Sequence, residues 1–349
     1  MLVLPVCRLH RRGMGSAWID DSRIEEVRKQ LVRGLDDAMP VFTLRQLAKW
    51  GISRPEVLAL QRRGYVQRIR HGAYCLASSW ELAKNDEALH RRILALSAMA
   101  GMSQPVYACG PFAAELHQLP LPTREPAFVD LVRDSRRDIR PAQSGVQPRN
   151  RLEGVRIVSR NLTGEIVTTA AGVPVVGVAA TAMTASVGLA DEYRVALFDA
   201  ALRMEASHDE LKEIGSRWIS TKGMTDASRL VDLARVGAES PLESISRIRL
   251  VNRGLPEPVL QQDFHDSRGF IGRVDMWWPD WRVIGEADGL GKYDNPQDLR
   301  KEKIREDRLR ALGLIVVRWT WNEIWDFPGD VVARIWAARA RNMRTPQAG

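Results

Sequence analysis

Three carboxylates in the stretch Arg273 to Gly289, RVDMWWPDWRVIGEADG, have a spacing suited to a hydrated divalent cation. Strand alternation puts Arg273, Asp275 and Trp277 on one side of a first strand, and Ile284, Glu286 and Asp288 on one side of its return, with Pro279-Asp280 as the turn. A turn at those two residues sets Asp275 opposite Ile284 and diagonal to Glu286, with side chains roughly 5–7 Å apart. Carboxylates this close repel one another, so a cation, a proton or a basic neighbour must compensate. Hard oxygen ligands on strands suit Mg2+ or Mn2+. A metal held there would activate water and neutralise charge on a phosphodiester, with Asp275 and Glu286 as ligands and Asp288 as ligand or water-orienting base. Without an ion the hairpin would be a solvated acidic face. A one-residue slip would scatter its acids over two faces, and a basic plug such as Arg273 would close it.

The elements around the hairpin decide whether it is held rigidly. Ser240-Pro241-Leu242-Glu243 starts a helix through Ile245, Ile248 and Leu250. Glu243 is either a further ligand or the third helical residue of a capping box begun by Ser240. After the hairpin, Asn295-Pro296 opens a second helix that Gly313 ends. Its expected exposed side carries Arg300, Lys301, Lys303, Arg305, Arg308 and Arg310 among Glu302, Glu306 and Asp307. Leu314 to Trp319 then reads as a buried strand.

Helix, strand pair, helix and strand with these acids resemble the PD-(D/E)XK nuclease superfamily, and most closely the small domain related to very-short-patch-repair endonucleases. The residues that carry the resemblance are Arg273, Asp275, Trp278-Pro279, Glu286, Asp288 and Gly289, followed by Val317 to Trp321, over about residues 238–327. The resemblance implies a metal-dependent DNA endonuclease with Asp275, Glu286 and Asp288 in its site, to which Glu243 would add a further ligand. The chain departs from that family where a histidine commonly follows Asp-Gly. Here the sequence is Leu290-Gly291-Lys292-Tyr293, and Lys292 is the positive charge available beside a phosphate.

A second constellation lies near the start. Thr43 to Gln46 and Ser53 to Glu56 are capping boxes that open two short helices across Gly51-Ile52. Tyr65 to Arg70, a turn at His71-Gly72, and Ala73 to Leu76 read as a β-hairpin. Helix, turn, helix and ribbon is the winged-helix plan. Its second helix would offer Arg54, Gln61, Arg62 and Arg63 to DNA, and its wing Arg68, Arg70 and His71. Five arginines stand against one acid between Ser53 and Gly72. The plan also serves as a protein-docking module in some chains. Residues 37–80 resemble the winged-helix start of AbiEi-type antitoxins, which implies DNA binding and operon autoregulation, with a cognate toxin as an implied partner.

With 51 Lys+Arg against 43 Asp+Glu and a pI near 9.7, the chain is biased towards phosphate backbones. Cys7, Cys75 and Cys109 are too scattered for a disulfide framework or zinc knuckle, which points to a reducing cytoplasm. Met1 to Cys7 is too short for a leader before Arg8, and Met14 is an alternative start. Ile166 to Ala190 carries no charge, but its weak hydropathy and Pro174 suit a buried strand at Val173-Val178 and a helix from Thr181, not a membrane span. A helix over His90 to Ala100, strands at Phe128 to Val132 and Val155 to Val158, and a helix over Glu192 to Met204 are expected between, with a basic loop from Asp134 to Gly154.

The expected architecture is therefore a multidomain α+β and α/β chain. It has an extension over residues 1–36, a winged helix-turn-helix over 37–80, a mixed α/β connecting domain over 81–236 and a PD-(D/E)XK-like domain over 237–349. Two functions remain open. One is a Mg2+- or Mn2+-dependent endonuclease acting on double-stranded DNA in phage defence or restriction. The other is an AbiEi-like antitoxin and transcriptional regulator with an inactive nuclease fold.

Overall fold

Local capping signals and short apolar stripes build the first part of the chain. The computed structural model describes residues 20–34, 40–122, 128–137, 154–165, 167–218, 221–289 and 296–344, with the side chains at 221–225, 296–299 and 343–344 excepted. Met1, Cys7 and Met14 lie outside the described residues. The chain divides into two units, Met1–Ser103 and Gln104–Gly349.

In the first unit, helix α1 (Asp21–Gly34) buries Ile24, Val27 and Leu31 from one face. Strand β1 (Val41–Thr43) runs into α2 (Leu44–Lys49), where the Thr43 hydroxyl accepts from the Gln46 amide at 3.2 Å and the Gln46 side chain accepts from the Thr43 amide at 2.8 Å. Glu56 likewise accepts from the Ser53 amide at 2.6 Å at the start of α3 (Arg54–Arg62). Both expected capping boxes are present. Strands β2 (Val66–Arg70) and β3 (Ala73–Leu76) form the expected hairpin, turning at Gly72 with φ +78°. The β1 strand, absent from the sequence expectation, pairs with β3 to give the antiparallel order β1-β3-β2. Phe42, Leu47, Ile52, Val57, Leu60, Val66 and Tyr74 join the α1 stripe in one core. Helices α4 (Ala77–Ala83) and α5 (Glu87–Ala100) follow, the latter enclosing the helix expected from His90.

The second unit opens with β4 (Val106–Ala108), α6 (Gly110–Leu116), β5 (Val129–Asp134) and β6 (Val155–Arg160). Most of the basic loop between the last two, residues 138–153, lies outside the described residues. Strands β7 (Val167–Ala170) and β8 (Val173–Val176) and helix α7 (Val178–Ala185) come from the uncharged stretch. The helix begins three residues before the expected Thr181, because Gly177 already ends the strand. Among the described residues no helix is long and apolar enough to cross a membrane. The sheet order is β6-β5-β4-β8-β7, and the apolar residues of α8 (Asp191–Arg203), α9 (His208–Trp218) and α10 (Thr221–Asp232) pack with α7 in one core.

The same unit continues through α11 (Pro241–Val251), β9 (Val259–Asp266), β10 (Gly269–Trp278), β11 (Val283–Asp288), α12 (Pro296–Ala311), β12 (Ile315–Thr320), α13 (Trp321–Asp326) and α14 (Pro328–Arg344). The four strands lie in the order β12-β11-β10-β9, with β12 parallel to β11 and the other pairs antiparallel. Met276, Trp278, Val283, Val317 and Trp319 meet Leu242, Ile324, Val331 and Ile335 from α11, α13 and α14. Ile271, Val274 and Ile284 meet Leu309 of α12 and Leu314. Gly285 lets two indoles close over β11: a Cβ there would lie 2.5 Å from Trp319 Cη2 and 3.0 Å from Trp278 Cζ3. Inside this unit the Arg247 guanidinium of α11 meets the Asp199 carboxylate of α8 at 3.2 Å, with side chains 1 % and 0 % exposed.

Candidate carboxylate site and nucleic-acid interface

The hairpin that carries the acids is longer at its turn than two residues. Pro279–Trp281 makes a single 3-10 turn and Arg282 adopts a left-handed φ of +53°, so four residues separate the strands. Trp277, rather than Asp275, therefore faces Ile284, and Met276 faces Gly285. One step further along, Asp275 stands level with Glu286, so the expected diagonal placement becomes a direct one. Asp275 Oδ2 accepts from the Ala287 amide at 2.8 Å, which ties the two strands through the acid itself.

Glu286 is 7 % exposed. Burial pushes its carboxyl up to about 7, with a further push from the Asp275 charge and a pull back from Arg305 and Arg318. Arg305 donates Nη2 to Glu286 Oε1 at 2.8 Å and to the Arg273 carbonyl at 2.8 Å. Its Nη1 donates to Glu302 at 3.0 Å. Burial alone would lower the Arg305 pKa, yet the two carboxylates more than offset it and hold the guanidinium charged. Asp288 is half-buried, 3.9 Å from Arg318 Nε. Arg318 also pairs with Glu306 at 3.0 Å and with Glu302.

Of the two roles open to Glu243, the contacts are those of a cap. The Ser240 hydroxyl accepts from the Glu243 amide at 3.2 Å, but the Glu243 carboxylate accepts from the Glu239 amide at 2.8 Å and from Gln261 Nε2 at 2.7 Å. The box is thus shifted by one residue. Burial raises the Glu243 pKa, and the Asp275 charge raises it further, so this acid belongs to the same electrostatic group. Lys292 lies outside the described residues.

The plug considered for Arg273 falls to another arginine. Arg273 turns away to Asp263 at 2.8 Å and to Glu239 at 3.5 Å. Arg305 and Arg308, expected on the solvent side of α12, have side chains only 17 % exposed, and Arg308 pairs with Asp266 at 2.6 Å. The available signal was Leu309, a fully buried leucine one turn after Arg305 on the same helical face. Among the described residues no group of three or more His, Cys, Asp and Glu side chains is arranged to hold a metal ion. With Glu286 on a guanidinium, Asp275 on a backbone amide and Glu243 on an amide and Gln261, these carboxylates do not fit a divalent cation as they stand.

In the first unit, Arg54 and Arg62 are exposed at the two ends of α3, and Gln61 is half-buried. Arg63 instead pairs with Asp21 of α1. On the hairpin, Arg68 Nη2 lies 3.0 Å from His71 Nδ1, both exposed, while Arg70 donates to Ser97 Oγ at 3.1 Å. Four of the seven expected contacts, Arg54, Arg62, Arg68 and His71, therefore stand outward, and Arg63 and Arg70 are drawn into the unit's own structure.

Residues 30–77 match the family of AbiEi antitoxin transcriptional regulators. The matched segment contains α2, α3 and the β2–β3 hairpin, so the basic helix and hairpin lie within an AbiEi-type regulator domain. Two curated relatives are uncharacterised proteins of Mycobacterium tuberculosis, MT2308 of strain CDC 1551 / Oshkosh and Rv2248 of strain H37Rv. Each is 32% identical over 142 residues, which is 40% of this chain and 52% of the relative. The chain thus spans about half the length of the curated relatives it matches.

One cavity had no counterpart in the sequence reading. It measures about 320 Å³ and is lined by His117, Glu165, Glu210, Glu213 and Arg217 among others. Burial pushes Glu165 up to about 7, while the Gly177 amide, donating to it at 3.2 Å, and Arg217, 3.7 Å away, pull it back.

Proposed function

We propose that this chain is a DNA-binding transcriptional regulator of the AbiEi antitoxin type, whose first unit is a winged helix that lays α3 in the major groove and the β2–β3 wing along the backbone. The observation that carries this reading is the outward set Arg54, Arg62, Arg68 and His71 within the very segment that matches the AbiEi family. Arginine at both ends of a recognition helix positions the protein on phosphates, while Gln61 and whichever arginine reaches a base edge supply sequence preference. The net charge of +8 adds a non-specific attraction. In this reading the partners are double-stranded DNA and the toxin of a neighbouring gene.

The test is fluorescence anisotropy with labelled duplex from upstream of the protein's own gene. A regulator should bind it on the order of 10³-fold more tightly than unrelated duplex at physiological salt. Equal affinity for both would remove the regulatory reading.

A second reading, a DNA endonuclease, has its own support in the tail. Helix α11, the strand pair β10–β11, helix α12 and strand β12 follow the element order on which the PD-(D/E)XK resemblance rests, with β9 as a further strand outside that expectation, and Asp275, Glu286 and Glu243 share one electrostatic neighbourhood. Plasmid cleavage in Mg2+ or Mn2+ that disappears in both Asp275→Ala and Glu286→Ala would favour it. The pairing of Glu286 with Arg305 weighs the balance towards the regulator.

A further inference from the structure

We propose that Arg305 is the resident counter-ion of the tail's carboxylate site, taking the place that a divalent cation would occupy and keeping metal out.

The site is built around that side chain. One guanidinium nitrogen bridges Glu286 Oε1 and the Arg273 carbonyl, each at 2.8 Å, and the other terminal nitrogen meets Glu302 at 3.0 Å. Such a bridge fixes the guanidinium against both β10 and its own helix. Strand β10 makes room for it with Gly272, where a Cβ would come within 2.5 Å of Arg305 Nε and 3.2 Å of Cδ. A Cβ there would force the Arg305 side chain to shift. A neighbouring arginine completes the arrangement, since Arg318 stands level with Glu286 in the strand register and turns to Asp288, Glu302 and Glu306.

A cation entering at Glu286 would have to displace a charge-assisted hydrogen bond and then sit beside the displaced positive charge. The remaining acids offer little compensation. Asp275 holds the Ala287 amide, and Glu243 holds the Glu239 amide and Gln261, so drawing either towards an ion breaks a contact that organises the hairpin or the start of α11. Carboxylates packed together need a counter-charge, and this chain supplies one from its own helix. The inference is independent of DNA binding by the first unit.

Isothermal titration of the full-length protein with Mn2+ at pH 8, where Glu286 is ionised, tests it. The wild type should show no saturable uptake up to millimolar metal. Arg305→Gln should gain a site at least tenfold tighter than any wild-type signal, and Arg305→Gln combined with Glu286→Gln should lose it. Saturable wild-type binding that Glu286→Gln abolishes would overturn the proposal, as would a folded Arg305→Gln that takes up no metal. If Arg305→Gln does not fold alone, Mn2+ should restore its circular dichroism while leaving the wild-type melting temperature unchanged. Failure of Mn2+ to restore it counts against the proposal. Duplex binding measured on the same samples reports the first unit separately, so loss of one reading is distinguishable from loss of the other.

Discussion

Removing Arg54 and Arg62 together should flatten the salt dependence of DNA binding by a calculable amount. Both side chains are exposed at opposite ends of α3, and neither has an ion-pair partner among the described residues. Each phosphate contact contributes about 0.9 to the slope of log affinity against log salt, so loss of two should reduce that slope by about 1.8. Between 50 and 200 mM salt, affinity of the wild type should then fall about 12-fold further than that of the Arg54→Ala/Arg62→Ala variant. Arg63→Ala is the internal control. Its guanidinium is already engaged by Asp21, so its removal should change the slope far less and should loosen α1 from α3 instead. The assay is anisotropy over a salt series, with circular dichroism to confirm folding. An unchanged slope in the double variant, or an equal effect from Arg63→Ala, would refute the assignment of this surface to DNA.

Three further outcomes follow from the second unit. Gly285→Ala should cost about 3 kcal/mol or more by overpacking, because Trp319 is anchored to Ser246 at 2.8 Å and Trp278 to the Pro256 carbonyl at 2.9 Å; urea unfolding would show it, and a midpoint within error of wild type would contradict the packing. Asp199→Ala should cost about 3–5 kcal/mol, since it strands the buried Arg247 charge with only Glu257 at 3.2 Å, whereas an exposed control such as Asp307→Ala should be near neutral in the same titration. Glu165 and Glu286 are both held near 7 in the fold against an ordinary 4.5, so the native state binds more protons than the unfolded chain between those values. Stability should therefore fall as pH rises through that window, by up to about 3 kcal/mol for each group, and Glu286→Gln should flatten the curve measured by urea midpoints; a midpoint that rises from pH 5 to pH 7 would reverse the assignment.

What was legible in the sequence was what depends on neighbours a few residues away. The boxes at Thr43 and Ser53 and the turn at Gly72 are local bargains between side chain and backbone, and each forms where the spacing placed it. Strand β1 escaped notice because three residues carry no alternation to read, and it exists only through pairing with β3. The acids at 275, 286 and 288 were visible as a group, but their register was not. It depends on Arg282 taking a left-handed conformation normally left to glycine or asparagine, and its guanidinium reaches the Leu312 carbonyl across the sheet. The inward turn of Arg305 was hidden for another reason. A helix with charges all round has no apolar stripe to orient it, and only the position of Leu309 reveals which side packs down.

The pairing of Asp199 with Arg247 also sets an order of events during synthesis. The carboxylate leaves the ribosome 48 residues before its guanidinium, and until then the enclosed acid on α8 has the Arg235 amide, at 2.7 Å, and the Ser244 hydroxyl as donors but no counter-charge from Arg247. The Asp199 side of α8 thus gains its counter-charge only after α11 has emerged. A nascent chain halted near residue 237 should stay open to protease around α8, and a fragment ending there should remain soluble only by keeping that carboxyl wet.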